Sequence, residues 1–265
     1  MIVNVLTCFA VVTLIGLAAA ILLALASDFL SVKEDETVKA VRNLLPGANC
    51  GACGYAGCDE YAKAVSNKTA QTNLCVPGGA DVSAAVSQIM GVDSKDVESQ
   101  VAFVKCNGNC NATTKIADYD GVKTCKAANM LYGGPNSCNY GCLGCGDCAK
   151  VCPVNAICLD DGVARVNRNI CIGCGLCTKE CPKGIIKLIP AAANTTIMCS
   201  NRDKGAVSRK LCVNSCIGCK KCEINCHKKA ITVTYNLAVI DYTKCNGCGL
   251  CAENCISKCI KVVNG

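Results

Sequence analysis

CLGCGDCAKVCP at residues 142–153 and CIGCGLCTKECP at residues 171–182 decide how this chain folds. Each half is C-x2-C-x2-C-x3-C-P, the spacing that holds paired [4Fe–4S] clusters. Three cysteines on one tight loop reach three corners of one cube. The fourth starts the next helical turn and ligates the cube of the other run. That rule assigns Cys142, Cys145, Cys148 and Cys181 to one cluster, and Cys171, Cys174, Cys177 and Cys152 to its neighbour. Gly144, Gly146, Gly173 and Gly175 suit a backbone that turns sharply and approaches sulfide closely.

The pattern returns further on. CIGCKKCEINC and CNGCGLCAENC place cysteines at 216, 219, 222 and 226, then at 245, 248, 251 and 255, each 74 residues beyond its counterpart. This is an internal duplication. The same exchange rule gives one cluster to Cys216, Cys219, Cys222 and Cys255, and another to Cys245, Cys248, Cys251 and Cys226. The prolines behind the last cysteines are missing here, replaced by His227 and Ile256. Each repeat is expected to be ferredoxin-like, with short strands at Ala164–Val166, Ile185–Leu188, Ile231–Thr234 and Ala238–Ile240.

Upstream, NCGACGYAGCDEYAKAV and LCVPGG supply Cys50, Cys53, Cys58 and Cys75 with interleaved glycines, a separate [4Fe–4S] site. Helices are expected from Ser31 to Leu45, from Asp59 to Val65 and from Asp81 to Met90, so this small domain reads as α-rich. Between it and the first repeat, Cys106, Cys110, Cys125 and Cys138 follow no regular pattern and are the candidate ligands of a further cluster. Cys158, Cys199, Cys212 and Cys259 are left over and read as small buried residues. His227, the one histidine, reads as solvated or packed.

Residues 2–27 carry no charge and are long enough to span a bilayer as a helix. A cleaved signal peptide would need a positive start, and none precedes the apolar run. Lys33, Lys39 and Arg42 follow closely, which places the bulk of the chain in the cytoplasm and makes this a single-pass anchor in the cell membrane. Cys8 lies inside the span as an apolar filler. The expected organisation is α+β: anchor 1–27, α-rich cluster domain 28–92, cysteine-rich connector 93–138, and ferredoxin-like modules at 139–190 and 191–265, each with two clusters.

The chain has 265 residues and 29 cysteines. Disulfides fit poorly with an odd number gathered in C-x2-C runs, and zinc would not ask for paired four-cysteine runs. The absence of Trp and a 4% aromatic content leave a thin core, so metal bonds are expected to supply much of the folding energy. The formal charge of +7 says little about partners. Six clusters at about −2 each would bring the loaded protein to roughly −5, so basicity is no argument for nucleic acid. No phosphate-cradling loop, nucleophile elbow or histidine–carboxylate metal motif is present, which leaves one-electron transfer as the supported chemistry.

In their order, the uncharged span, LLPGANCGACGYAGCDEYAKAV, LCVPGG and the paired cysteine runs resemble the B subunit of the Rnf complex. The resemblance covers nearly the whole chain and favours the longer members of that family. It implies a membrane-bound ferredoxin oxidoreductase that pumps Na+ or H+, usually with NAD+ as acceptor. Reduced ferredoxin would be the donor, and flavin-bearing and membrane-integral subunits the partners. Ligand roles carry over to Cys50, Cys53, Cys58 and Cys75 and to the sixteen cysteines of the two repeats, giving five clusters, with the connector offering a sixth. In some long members the position matching Cys145 is not cysteine, which leaves the roles of Cys138, Cys142 and Cys145 open. A polyferredoxin-like subunit of a hydrogenase or formate dehydrogenase is the alternative, although the Cys50–Cys75 domain behind an anchor would be unexpected there. Lys220, Lys221, Lys228 and Lys229 form a candidate basic face for an acidic ferredoxin.

Overall fold

The computed structural model describes residues 13–23, 25, 35–94 and 97–263. Residues 13–23 are helical, and Leu14, Ile15, Leu17, Ile21, Leu22 and Leu23 are exposed on them. Among the described residues no helix is long and apolar enough to cross a membrane. The rest of the expected 2–27 span, and the first residues of the helix expected from Ser31, lie outside the described residues.

The N-terminal unit is α-rich. Asp35 caps α1 (Glu36–Leu44) by accepting from the Thr37 N–H at 2.9 Å, and the chain leaves the helix extended at Leu45, before Pro46. α2 (Cys58–Ser66) and α3 (Gly79–Met90) pack on it and bury Val41, Tyr61, Ala62, Val65 and Val86. Gly91 closes α3 in the left-handed conformation, φ 65°.

Two ferredoxin-like units follow. In the first, β1 (Gln100–Val104) pairs antiparallel with β4 (Ile186–Pro190), and β2 (Ile157–Asp160) with β3 (Val163–Val166). In the second, β5 (Thr195–Ile197) pairs with β8 (Ile260–Val262), and β6 (Ile231–Thr234) with β7 (Leu237–Ile240). Short helices carry the third cysteine of each run: α5 (Asp147–Lys150), α6 (Leu176–Glu180), α8 (Lys221–Ile224) and α9 (Leu250–Glu253). α4 (Cys125–Met130) lies in the cysteine-rich stretch and α7 (Gly205–Leu211) opens the second unit's ligand region.

The hairpins and short helices repeat at the 74-residue offset, but the leading strands do not. Val104 sits opposite Ile186 and Ile197 opposite Ile260, so the two leading strands occupy equivalent places. Between strand and first ligand, Cys106 and Cys142 stand 36 residues apart in the first unit, whereas Cys199 and Cys216 stand 17 apart in the second. The structure thus draws β1, from inside the expected 93–138 connector, into the first ferredoxin-like unit. A strand of apolar residues in a chain this poor in core volume finds its best burial against β4, where Ala102, Val104 and Ile186 lie together.

Each unit has a thin aliphatic core in direct contact with thiols. Ile157, Val163 and Ile185 pack with Cys142, Cys148 and Cys177 in the first. Ile231, Leu237 and Ile260 pack with Cys216, Cys222 and Cys251 in the second.

Candidate metal centres

Among the described residues every cysteine is a free thiol. No three Cys, His, Asp or Glu side chains among them close on a single-ion position. The thiols stand instead in groups around loops and cavities.

The N-terminal group is Cys50, Cys53, Cys58 and Cys75, all half-buried. Asn49, at φ 45°, accepts from the Cys58 N–H at 2.8 Å and so closes the loop that carries the first three. Tyr61, 1% exposed, reaches across to the fourth: its hydroxyl donates to the Gln71 carbonyl at 2.8 Å and accepts from the Leu74 N–H at 3.2 Å. Burial pushes the Tyr61 phenol up to about 12 and raises the Cys75 thiol, on which Cys58, Cys50 and Cys53 all act.

In the first ferredoxin-like unit, Cys152, Cys171, Cys174 and Cys177 lie near one another. Burial and then Cys171, Cys174 and Cys152 push the Cys177 thiol up to about 12. The Ala102 N–H points at Cys171 Sγ at 3.3 Å and the Ala156 N–H at Cys152 Sγ at 3.3 Å. Gly173, at φ +67°, holds its α-carbon where a Cβ would come 2.3 Å from the Gln100 carbonyl oxygen.

The partner group differs from the expected one by an added thiol. A small cavity of about 20 Å³ is lined by Cys125, Cys142, Cys148 and Cys181, with Leu143 and Ile186 among its walls. Cys145 stands beside it, half-buried, its Sγ 3.8 Å from the Leu143 carbonyl and hydrogen-bonded to Cys125. Cys125 is held there by α4, whose first turn is fastened twice. Thr124 accepts from the Ala127 N–H at 3.1 Å, and buried Asp147 accepts from the Lys126 N–H at 3.2 Å.

In the second unit, Cys216, Cys219, Cys222 and Cys255 lie near one another, and Cys226, Cys245 and Cys251 pack in the same core. Cys219 and Cys248 reach the surface. Cys259, 1% exposed and a filler by its place in the sequence, is a fifth thiol here. Its Sγ lies 3.7 Å from Cys255 Sγ, and it also bonds Cys216. Holding the proton between two neighbours raises Cys259, while Cys216 and Cys255 drop to about 6 and about 5.

The structure does not gather Cys106, Cys110, Cys125 and Cys138. Cys110 is exposed, its N–H given to Asp161, and Cys125 belongs to the cavity above. Cys106 and Cys138 instead line a second small cavity, of about 20 Å³, with Cys199 and Cys212, two residues that belong to no cysteine run. The signal for one of them was present: Cys212 stands four residues before Cys216 as Cys138 stands four before Cys142.

Do these groups suit an iron–sulfur cube? Aliphatic side chains pack against the thiols of both ferredoxin-like cores, backbone N–H groups point at sulfur, and two cavities carry four thiols each in their lining, as a soft multi-iron core requires. Burial pushes Cys148 and Cys222 up to about 12. Such thiols part with their protons only when a metal core replaces them. The donor sets fit.

Three family models match the chain. An "Fe-S cluster" family covers residues 45–77, and two "4Fe-4S dicluster domain" families cover 141–185 and 170–230. The B subunit of the ion-translocating oxidoreductase complex of Methanosarcina acetivorans is 39% identical over 236 residues, covering 89% of both chains. The B subunit of the Na(+)-translocating ferredoxin:NAD(+) oxidoreductase complex of Acetobacterium woodii is 41% identical, over 86% of this chain and 69% of its own. Its counterpart in the proton-translocating ferredoxin:NAD(+) oxidoreductase complex of Clostridium ljungdahlii is 40% identical, over 87% and 82%. Grouped thiols on tandem ferredoxin-like units make this an iron–sulfur electron-transfer protein. With relatives this similar over most of its length, the chain belongs to the B-subunit family of the ion-translocating oxidoreductase (Rnf) complexes.

Proposed function

We propose that this subunit takes electrons from reduced ferredoxin and relays them to flavin-bearing and membrane-integral partners, which pass them to NAD+ while Na+ or H+ is moved. The observation that carries the reading is the continuity of the thiol groups. Val76, next to Cys75, lies 3.4 Å from where a Cβ on Gly173 would stand, Cys177, Cys148 and Cys142 share one buried core, and Cys142 gives its N–H to Cys106 Sγ at 3.3 Å. Five groups serve as cluster ligands: Cys50, Cys53, Cys58 and Cys75; Cys152, Cys171, Cys174 and Cys177; Cys142, Cys148 and Cys181 with Cys125 or Cys145; Cys216, Cys219, Cys222 and Cys255; Cys226, Cys245, Cys248 and Cys251.

When bound, [4Fe–4S] clusters supply reversible one-electron storage. The chain does the rest. Its aliphatic walls exclude water, and its N–H groups offset thiolate charge, which together set the reduction potential. The helical stretch 13–23, apolar and exposed, supports an N-terminal tether that leaves the cluster units on the cytoplasmic side.

Ferredoxin docks on the second ferredoxin-like unit. Cys219 and Cys248 are exposed there, and Lys220, Lys221, Lys228 and Lys229 are exposed beside Cys219 and Cys226. Complementary charge raises the encounter rate at low salt. Reversing three of them (K220E, K221E, K228E) should slow reduction by ferredoxin at least about tenfold at low salt, with the difference shrinking as salt rises. An unchanged rate and salt slope would remove the docking face.

A further inference from the structure

We infer that Cys106, Cys138, Cys199 and Cys212 hold a sixth [4Fe–4S] cluster, built between the two ferredoxin-like units with one pair of thiols from each. The cluster type rests on the electron-transfer reading above; the site itself rests on geometry.

The four thiols are buried, and all line one small cavity of about 20 Å³. Cys106 lies two residues beyond β1 and Cys199 two residues beyond β5, the equivalent strand. Cys138 and Cys212 each stand four residues before the first cysteine of a run. The ring is therefore two copies of one pair, related by the same duplication that relates the units. A single unit has only half of it.

The surroundings repeat as well. The Cys142 N–H points at Cys106 Sγ at 3.3 Å, and the Cys216 N–H points at Cys199 Sγ at 3.3 Å. Cys142 and Cys216 are the first ligands of the adjoining groups, so this ring touches one cluster site of each unit through a single backbone amide. Asn201, 1% exposed, extends its amide to Cys138 Sγ at 3.6 Å, and the Gly108 N–H reaches Cys106 Sγ at 3.4 Å. Amide donors aimed at sulfur are what thiolates of a buried cluster need. Lys105 also lines this cavity.

The joint between the units is also stitched around this ring. Thr113 and Ser137 hydroxyls donate to the Leu211 carbonyl at 2.9 and 3.1 Å. Ser200 Oγ donates to the Lys105 carbonyl at 2.9 Å, and the Asn214 amide donates to the Asn107 carbonyl at 3.0 Å. A single zinc ion would draw four sulfurs to about 2.3 Å from one point. Among the described residues no three such side chains close on a single-ion position, which speaks against that ion here.

The test is an anaerobic count of iron, acid-labile sulfide and zinc on the full chain in detergent. About 24 iron per chain is expected for the native sequence, and about 20 for Cys199→Ala or Cys212→Ala with the brown colour retained. Cys110→Ala and Cys158→Ala, both at exposed thiols, should keep about 24. The milder Cys199→Ser, read by electron paramagnetic resonance, covers the case in which the alanine variants fail to fold. Loss of four iron or appearance of a three-iron signal supports the site, and an unchanged count and spectrum overturns it. About 20 iron in the native chain, with or without one zinc, would overturn the sixth cluster and leave the electron-transfer reading standing. A colourless, iron-free chain would overturn both.

Discussion

Gly173→Ala is the sharpest single test of how the first ferredoxin-like unit grips its ligands. Gly173 lies between Cys171 and Cys174 at φ +67°, and a Cβ there would come 2.3 Å from the Gln100 carbonyl oxygen and 3.4 Å from Val76 Cγ1. Two costs add. A non-glycine residue in the left-handed region costs about 1–2 kcal/mol. The carbonyl belongs to the start of β1, where Gln100 pairs with Pro190, so relief means moving backbone, at about 1–3 kcal/mol more. Gly184 separates the two, because it has φ +60° with nothing within 4 Å of its would-be Cβ. Gly184→Ala should show the conformational cost alone. The assay is the rate at which visible absorbance bleaches when anaerobic protein meets a strong chelator. If bleaching follows local opening, the extra cost of about 1–3 kcal/mol makes Gly173→Ala about 5–150 times faster than Gly184→Ala. Equal rates for the two would refute the idea that close backbone approach, rather than chain conformation, makes glycine necessary at 173.

Three further outcomes follow from the same structure. Asp147→Ala removes the carboxylate that accepts from the Lys126 N–H, which should cost about 1–3 kcal/mol and free α4, so that Cys125 alkylates faster in the native protein while Cys106 does not. Lys220 takes the left-handed position, φ 60°, that glycine holds at Gly146 in the first unit, so Lys220→Gly should slow chelator bleaching by an amount equivalent to about 0.5–1 kcal/mol. Burial raises Cys148, Cys177 and Cys222 to about 12, so in the metal-free fold they keep their protons below pH 9 and any stability they lend it is lost as pH rises through 12. Cluster insertion must expel those protons, hence reconstitution should release protons in a pH-stat and should weaken as pH falls.

Much of this was legible in the residues because cysteine spacing is itself a structural statement. The runs at 142–153 and 171–182 imply a loop, a short helix and an exchanged fourth ligand, and α5, α6, α8 and α9 carry the third cysteines as that geometry requires. Of the hairpin strands β3, β6 and β7 were readable from short apolar stretches beside those runs, whereas β2 (Ile157–Asp160) was not expected. The central ring was not, because its members are far apart in sequence and belong to no run. Cys106 and Cys199 are equivalent, yet the stretch separating each from its first ligand differs by a long insertion that carries Cys110 and Cys125. Spacing cannot survive an insertion, whereas strand pairing does, and only the pairing of β1 with β4 and β5 with β8 reveals the match. Cys125 was hidden for another reason: it reaches its cavity through a contact between Asp147 and α4, which no local pattern encodes. Cys259 looked like filler because it trails its run, but its own turn brings it back onto Cys255.

Transfer of electrons from ferredoxin into clusters held by this chain is tested most directly by stopped-flow mixing. The anaerobic full chain, without its partner subunits, would meet chemically reduced ferredoxin while visible absorbance is followed over time. Prompt bleaching of the iron–sulfur absorbance by ferredoxin, none by NADH, and recovery on addition of an oxidant are the expected results. Bleaching by NADH with no response to ferredoxin would contradict the proposed direction of flow.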